Sequence, residues 1–575
     1  METPPAQSLA PRAGQPALAP WLQIAALLLI CVVTFVPGLF TIPAVDRDES
    51  RFAQASRQML ESGDVVVPMV QGTPRLNKPP LIYWAQSFAA YSLTGGDGAK
   101  DAIWMYRLPS LFAAAGTVLL LWRMGRSMVG DLGAFVGAAA FAASPVIFWE
   151  ARQARADMVL VFFTMWAMTH LWELLRSPQR PAFSHVVWLW VAVGLGVLTK
   201  GPITPMVVAT TCLMFGGISG RWDLVRRIRP LVGTAIVLAI GLPWLIAVVT
   251  RIGPQAYWNT IFAETLGRSV QAKEGHWGPP GYHLLLSPVL LYPVSLGIGA
   301  ALAGMVRAIG DARIARKHQT LEPEPPAAEL FLTSWVVPSW IVFELVSTKL
   351  PHYTMPLLPA AALLCMHGLT SQRAWAVRLR DASWVRVALV AFTLITMALS
   401  VVLWMAGITT LDQSVYGGLP TYSLVGLVCA LTIGCVLMMF RMLRSQRPVH
   451  MLAAATVLFG VGGAVLSLRA AYVPQLWTSR QIVAVLKKAD PQMDRPIAAV
   501  GYEEDSLIFE THGVAQRVPV TELDAWMDRN SNGLICITEE QFKQFPSLKS
   551  LGAVQGFNYS KGKWVNVVIA QHEEP

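Results

Sequence analysis

The chain is poor in charge: Asp, Glu, Lys and Arg make up 14% of its 575 residues, too little to clothe a soluble domain. It lacks a cysteine framework. Cys31, Cys212, Cys365, Cys429 and Cys435 fall in apolar stretches and Cys536 lies near the end, with neither metal-ligand spacing nor a disulfide pattern. There is no glycine-rich phosphate loop, so nucleotide binding is unsupported. No internal repeat is found, which counts against the paired halves of a lipid or solute transporter. No small-residue cleavage site follows the first apolar run, which is therefore expected to remain as an anchor. The net charge of +10 does not point to nucleic acid, because the bases gather in short loops where positive charge sets membrane orientation.

What the chain has in plenty is apolar sequence, 54% of residues with a mean hydropathy of +0.47. That composition makes it an integral membrane protein. Runs of about 20 apolar residues, long enough to cross a bilayer, are predicted at 22–40, 104–124, 130–149, 157–175, 185–199, 202–219, 229–250, 284–308, 329–347, 353–370, 385–408, 420–441 and 450–468. They make a polytopic α-helical protein with about thirteen spans. The stretch 81–93 is short and interrupted by Gln86 and Ser87. If it does not cross, then Arg123 and Arg126, Arg176 and Arg180, Arg221 with Arg226, Arg227 and Arg229, and Arg313, Arg316 and Lys317 share one side. Arg373, Arg378 and Arg380, and Arg441, Arg444 and Arg447, join them there. The positive-inside bias makes that side the cytoplasm, and 81–93 is expected to be an embedded or interfacial helix. The Pro- and Ala-rich residues 1–20 read as a cytoplasmic tail. Loops 41–103, 150–156, 200–201, 251–283, 348–352 and 409–419, and everything after 469, face away from the cytoplasm.

These outer segments carry the candidate chemistry. Asp46, Asp48 and Glu49 stand where the backbone leaves the first span, and carboxylates held at a membrane are costly and usually functional. A short amphipathic segment with Phe52, Ala55, Met59 and Leu60 on one face reads as a helix on the bilayer surface. Residues 65–70 read as extended, 72–75 as a turn, and Lys78 precedes Pro79-Pro80, which cannot continue a helix. Asp157 opens a span after Arg155, either as an N-cap or as a second acid. Lys200, between two closely spaced spans, lies where orientation does not require a base, and suits an anionic lipid phosphate. Glu264 and Arg268 form an i,i+4 pair, and His276 follows; a lone histidine is a ligand, a hydrogen-bonding group or neither. Lys349, His352 and Tyr353 return a short loop to the membrane, where snorkelling and aromatic anchoring are the plainer reading.

Taken together, these segments resemble polyprenyl-phosphate-dependent glycosyltransferases, in particular the lipid A aminoarabinose transferases, with the protein O-mannosyltransferases as relatives. That family has a D-E-[ST]-R-[YF]-A run, an S-G-D-W-[IV]-V-P-like strand and a K-P-P-L-x-Y-W element. Here Asp48-Glu49-Ser50-Arg51-Phe52-Ala53, Ser62-Gly63-Asp64, Val67-Pro68 and Lys78-Pro79-Pro80-Leu81-Ile82-Tyr83-Trp84 follow in the same order. Arg155-Ala156-Asp157, Leu198-Thr199-Lys200-Gly201-Pro202, the Phe262 to Arg268 pattern and Lys349-Leu350-Pro351-His352-Tyr353 extend it.

The resemblance implies a C-type glycosyltransferase fold in the bacterial inner membrane. It implies a sugar, an amino sugar by preference, carried on undecaprenyl phosphate and passed with inversion to a periplasmic acceptor, foremost a phosphate of lipid A in lipopolysaccharide. Asp48, Asp157 and Glu49 are then the catalytic candidates. Lys78, Arg155, Lys200, Arg268, Lys349 and Tyr353 are the lipid-phosphate candidates, with Tyr83, Glu264 and His352 as further site residues. A divalent cation is a possible cofactor, with His276 its candidate ligand. One departure matters: Asn77 stands where the aminoarabinose transferases commonly have glutamate before Lys-Pro-Pro, which leaves open the metal, another sugar such as a hexosamine, and a protein or glycan hydroxyl as acceptor.

From Arg469 the composition turns polar and alternating. Helices at 481–488, 521–527 and 539–545, strands at 497–500 and 534–537, closing strands at 554–557 and 564–569 and an ambiguous 506–510 predict a periplasmic α/β domain over 470–575. Glu503-Glu504-Asp505 are expected to be solvated.

Overall fold

The computed structural model describes residues 19–176, 182–262, 278–317, 328–371 and 447–572, with isolated positions between 373 and 441. The predicted tail, the spans at 385–408 and 420–441, and Glu264, Arg268 and His276 lie outside the described residues. Among those described, seven helices are long and apolar enough to cross a bilayer, and Pro20–Phe35 and Ile203–Ser219 are apolar but shorter.

The helices that frame the site are α1 (Pro20–Phe35), α2 (Asp48–Ser62), α3 (Leu81–Thr94), α4 (Ile103–Ala142), α5 (Pro145–Glu150), α6 (Asp157–Arg176), α7 (Phe183–Lys200) and α8 (Ile203–Ser219). The predicted runs 104–124 and 130–149 meet in α4, whose helical path breaks at Gly130 (φ 76°, ψ 169°). A Cβ on Gly125 would lie 3.2 Å from that of Ala134, whereas nine residues of straight helix rise about 13 Å. The two halves of α4 therefore fold back as a hairpin.

The predicted span 284–308 is displaced. The helix Tyr282–Leu290 accommodates Pro288, and the break comes at Pro293, after which a 3₁₀ turn leads into Ile298–Lys317, because proline lacks the N–H that a helix needs. The run 353–370 likewise starts as a 3₁₀ turn, Pro351–Leu357, before the helix Leu358–Thr370. Small residues let the helices approach closely: a Cβ on Gly297 would meet the Cys365 carbonyl oxygen at 2.5 Å, and one on Gly137 the Met366 side chain at 2.7 Å.

Helix α2 does not offer an apolar stripe to lipid. Nine of its residues, Glu49 to Met59, are buried. Against α3, Ser56 Oγ donates to Gln86 Oε1 (2.7 Å) and Ser87 Oγ to the Ser56 carbonyl (2.9 Å). On its other side Arg57 donates to the Phe509 carbonyl (2.8 Å) and stacks on the Phe509 ring. The surface-helix expectation fails because a period of 3.6 marks a buried stripe without saying what buries it.

After α2 a tight hairpin pairs β1 (Met69–Val70) with β2 (Thr73–Pro74). The chain ends in a five-stranded sheet ordered β4 (Ala515–Arg517), β3 (Ile497–Val500), β5 (Leu534–Thr538), β7 (Lys563–His572), β6 (Leu548–Asn558). The first three strands are parallel and the last two antiparallel. Strand alternation divides the core: Ile497, Ala499, Leu534 and Cys536 pack with Ile482 and Leu486, while Ala498, Val500, Ile535 and Ile537 pack with Leu523 and Trp526. Helix formation settles the ambiguous 506–510, as Asp505–Glu510. Glu504 and Asp505 are buried, contrary to expectation, and only Glu503 is exposed. Asp505 binds Arg51 and Arg517, each at 2.6 Å, and Glu504 accepts from Asn558 Nδ2 (2.7 Å) and Ser560 Oγ (2.9 Å).

Candidate active site

A cavity of about 1070 Å³ opens between the helix ends and the sheet. Its wall takes in residues at the C-terminal end of α7, the N-terminal ends of α6 and α8, the start of α2 and the 348–356 turn. The arginine-bearing connections after α6 and α8 join the opposite ends of these same helices.

Asp48 begins α2 immediately after Arg47, which takes a left-handed backbone (φ 62°) unusual for a side chain. Asp46, before the bend, binds the sheet domain: its Oδ1 accepts from Ser506 N at 3.2 Å. Asp48, after the bend, lines the cavity, with Oδ1 3.9 Å from Arg75 Nη2. Lys78 sits in the extended approach to Pro79-Pro80 and donates to the Asn77 carbonyl at 3.0 Å. Asp157 opens α6 and Lys200 closes α7, which brings Lys200 Nζ to 2.5 Å from Asp157 Oδ1. His352 Nε2 lies 3.8 Å from the same oxygen, and Lys200 Nζ stands 5.6 Å from the centroid of the Tyr353 ring. Arg155 completes the cluster, with Nη1 3.4 Å from Glu150 Oε1.

Burial would push the Asp48 carboxyl upward, but Arg155, Arg75, Lys78 and His352 outweigh it and hold it below the ordinary carboxylate range. Burial pushes the His352 imidazole down to about 4 against the pull of Asp157, so it is neutral at pH 7. Burial lifts Glu150 to about 7 although Arg155 opposes the rise. The outcome is an ionised Asp48 facing fixed lysines and arginines, suited to gripping an anion beside a reactive carboxylate.

Asp48, Asp157, Lys78, Arg155, Lys200, His352 and Tyr353 thus converge on one cavity. Three candidates do not reach its wall. Glu49 is fully buried; its oxygens accept from Arg107 Nε and Nη2 (both 2.9 Å) and from the backbone N–H groups of Val45 and Ala154 (both 2.8 Å), leaving nothing for a substrate. Lys349 turns back to donate to the carbonyls of Glu344 (2.6 Å) and Val346 (3.0 Å). Tyr83 is buried against Phe52. Sequence reasoning missed Arg75, although it lies in the motif stretch, and Phe557, Tyr559 and Ser560, which line the cavity from the sheet domain. Nothing in their local pattern signalled a wall built some 500 residues from Asp48.

The described residues around Asp48 and Asp157 do not by themselves form a divalent-cation site; His276, the candidate ligand, lies outside the described residues. Among the described residues no three His, Cys, Asp or Glu side chains converge, Asn77 supplies no carboxylate, and lysines and arginines engage or flank Asp157 and Asp48.

Residues 77–247 match the family model described as dolichyl-phosphate-mannose-protein mannosyltransferase. The chain is 27% identical over 372 residues to an undecaprenyl phosphate-alpha-4-amino-4-deoxy-L-arabinose arabinosyl transferase of Edwardsiella ictaluri, a match covering 63% of this chain and 62% of that protein. It is 30% identical over 337 residues to the enzyme of the same name from Pseudomonas paraeruginosa, covering 56% and 55%. The chain thus spans between about half and two thirds of the length of these relatives. Its structure superposes on that of ArnT from Cupriavidus metallidurans bound to undecaprenyl phosphate with a TM-score of 0.72, at 19% identity, covering 96% of this chain and 98% of that one. The fold is that of the C-type glycosyltransferases. The resemblance read from the loop motifs is borne out, and the superposition runs through nearly the whole of both chains.

Proposed function

We propose that this chain is an inner-membrane, inverting glycosyltransferase that moves a sugar from undecaprenyl phosphate to a phosphate of lipid A. In this reading about thirteen spans carry the cavity and the domain 470–575 on the periplasmic face. The observation that carries the proposal is the single cavity in which Asp48 faces Arg75, Lys78, Arg155 and Lys200. Its membrane-helix wall, with Leu160, Met206, Trp244 and Phe343, suits a prenyl chain. The names of the relatives support the donor class.

As the bond between the anomeric carbon and the lipid phosphate oxygen breaks, negative charge grows on that phosphate. Fixed cations stabilise this charge more than the ground state, which lowers the barrier. The acceptor oxygen attacks from the opposite face and inverts the anomeric centre. An ionised phosphate acceptor has no proton to lose, and Asp48 then orients the sugar, pairing with the ammonium of an amino sugar. With a hydroxyl acceptor, Asp48 takes the proton. Asp157, tied to Lys200, acts by holding that lysine toward the phosphate.

A second reading, a related transferase for a hexosamine, rests on Asn77. Mass spectrometry of lipid A and surface glycans from cells with and without the gene product tests both. Loss of an aminopentose mass from lipid A supports the first and loss of a hexosamine mass the second. A change confined to glycan or protein moves the acceptor, and unchanged profiles overturn the proposal.

A further inference from the structure

Glu150 ends α5 directly behind Arg155. It is 3% exposed and does not line the cavity, whereas Arg155 does. Their contact is loose: 3.4 Å from Nη1 to Oε1, against about 2.7–2.9 Å for a charge-assisted hydrogen bond. Among the described residues, Glu150 Oε2 and Arg155 Nε are both buried without a hydrogen-bond partner. Such orphans are costly, and here donor and acceptor are left half-matched beside an anion site.

We propose that Glu150 is a positioning residue that holds Arg155 for the lipid phosphate and takes up a proton from solvent when that phosphate binds. The inference rests on the donor reading above. An arriving phosphodiester becomes the partner of the Arg155 Nη and Nε donors, and the displaced carboxylate, no longer countered, is neutralised by one proton. No bond other than that O–H forms. The cavity charge is thereby kept level while the donor is bound.

The groups acting on Glu150 are Arg155 on the same loop, Asp157 on α6, Lys200 on α7 and Asp48 on α2. Burial, the largest influence, already sets its titration at about 7, and a bound anion raises it further. His352, at about 4, stays neutral through this range. Asp46 also titrates near 7 and lines the same cavity, so the comparison of wild type with a Glu150 variant is what separates the two.

The test is calorimetric titration of the full chain in detergent with a short polyprenyl phosphodiester of a hexose, which has no ionisation of its own near neutrality. Paired buffers of different ionisation enthalpy report protons taken up. Wild type is expected to bind with proton uptake near pH 7 and to weaken about threefold to tenfold between about pH 6 and pH 8. Glu150→Gln is expected to lose both the uptake and the pH dependence, and Glu150→Asp to restore them. Binding without uptake by wild type, or the same uptake in the Gln variant, overturns the inference. Should the Gln variant fail to fold, Asp46→Asn, which removes the other group that titrates near 7, decides: uptake retained in it supports the inference and uptake lost overturns it. If folded wild type binds no phosphodiester at all, the donor reading falls first and this inference with it.

Discussion

Two buried acid–arginine pairs lie within the same few helices and have opposite characters. Glu49 and Arg107 are saturated: both carboxylate oxygens and both Nη atoms of the arginine have partners at 2.8–2.9 Å, including the carbonyls of Leu39, Ile42 and Pro43. Glu150 and Arg155 touch at 3.4 Å and each keeps an unpartnered atom. The first pair locks the loop after α1 onto α4. The second is left incomplete at the cavity wall, where a ligand can complete it. Charge and burial are alike in the two pairs, and it is the unfilled hydrogen-bond positions that tell them apart.

The largest effect expected from testing that contrast is at Glu49. Glu49→Ala strands Arg107 in the interior and is expected to cost about 3–5 kcal/mol, read as lost folded yield and a lower Tm; wild-type yield would break the contrast. Asp48→Asn is next: transfer is expected to fall by about 100-fold or more with folded yield retained, and near-normal modified lipid A by mass spectrometry would remove Asp48 from the mechanism. The two lysines sharpen the picture. Lys200→Met is expected to lower turnover by about 10-fold to 100-fold. Lys349→Met should stay within about threefold of wild type and lose about 1 kcal/mol of stability, since its ammonium caps helix carbonyls. Equal losses of turnover in both would contradict the observed orientation of Lys349.

The smallest effect concerns Asp46. Burial raises its carboxyl from 3.8 to about 7, so the folded state holds a proton that the unfolded state has released. Its contribution to stability is full below the unfolded value and is lost as pH rises through the folded one. Asp46→Asn is expected to lose less Tm than wild type as pH rises from about 5 to about 8, and equal losses in the two would contradict the raised carboxyl.

Much of the site was legible because its residues sit in short runs whose backbone fixes their neighbourhood: Lys78 ahead of two prolines, Lys200 at a helix end facing the helix start at Asp157. Direction was not legible. Glu49 is adjacent to Asp48, yet one step round α2 sends one acid inward and the other to the cavity, and Lys349 lies in a matching motif but folds back on its own helix. Glu504 and Asp505 were misread because their partners, Arg51 and the 558–560 turn, are remote in sequence. Span bounds were clearest where runs were uninterrupted; at 284–308 the bounds shifted, the apolar helix there running over Val294–Lys317.

Asp505 gives one oxygen to Arg51, at the rim of the reaction chamber, and the other to Arg517 in the sheet. A single carboxylate is thus shared between α2 and the sheet domain, 454 residues apart in sequence. The chamber's rim at Arg51 is therefore held by the sheet, and any loosening of the sheet is expected to release Arg51 and open the wall there.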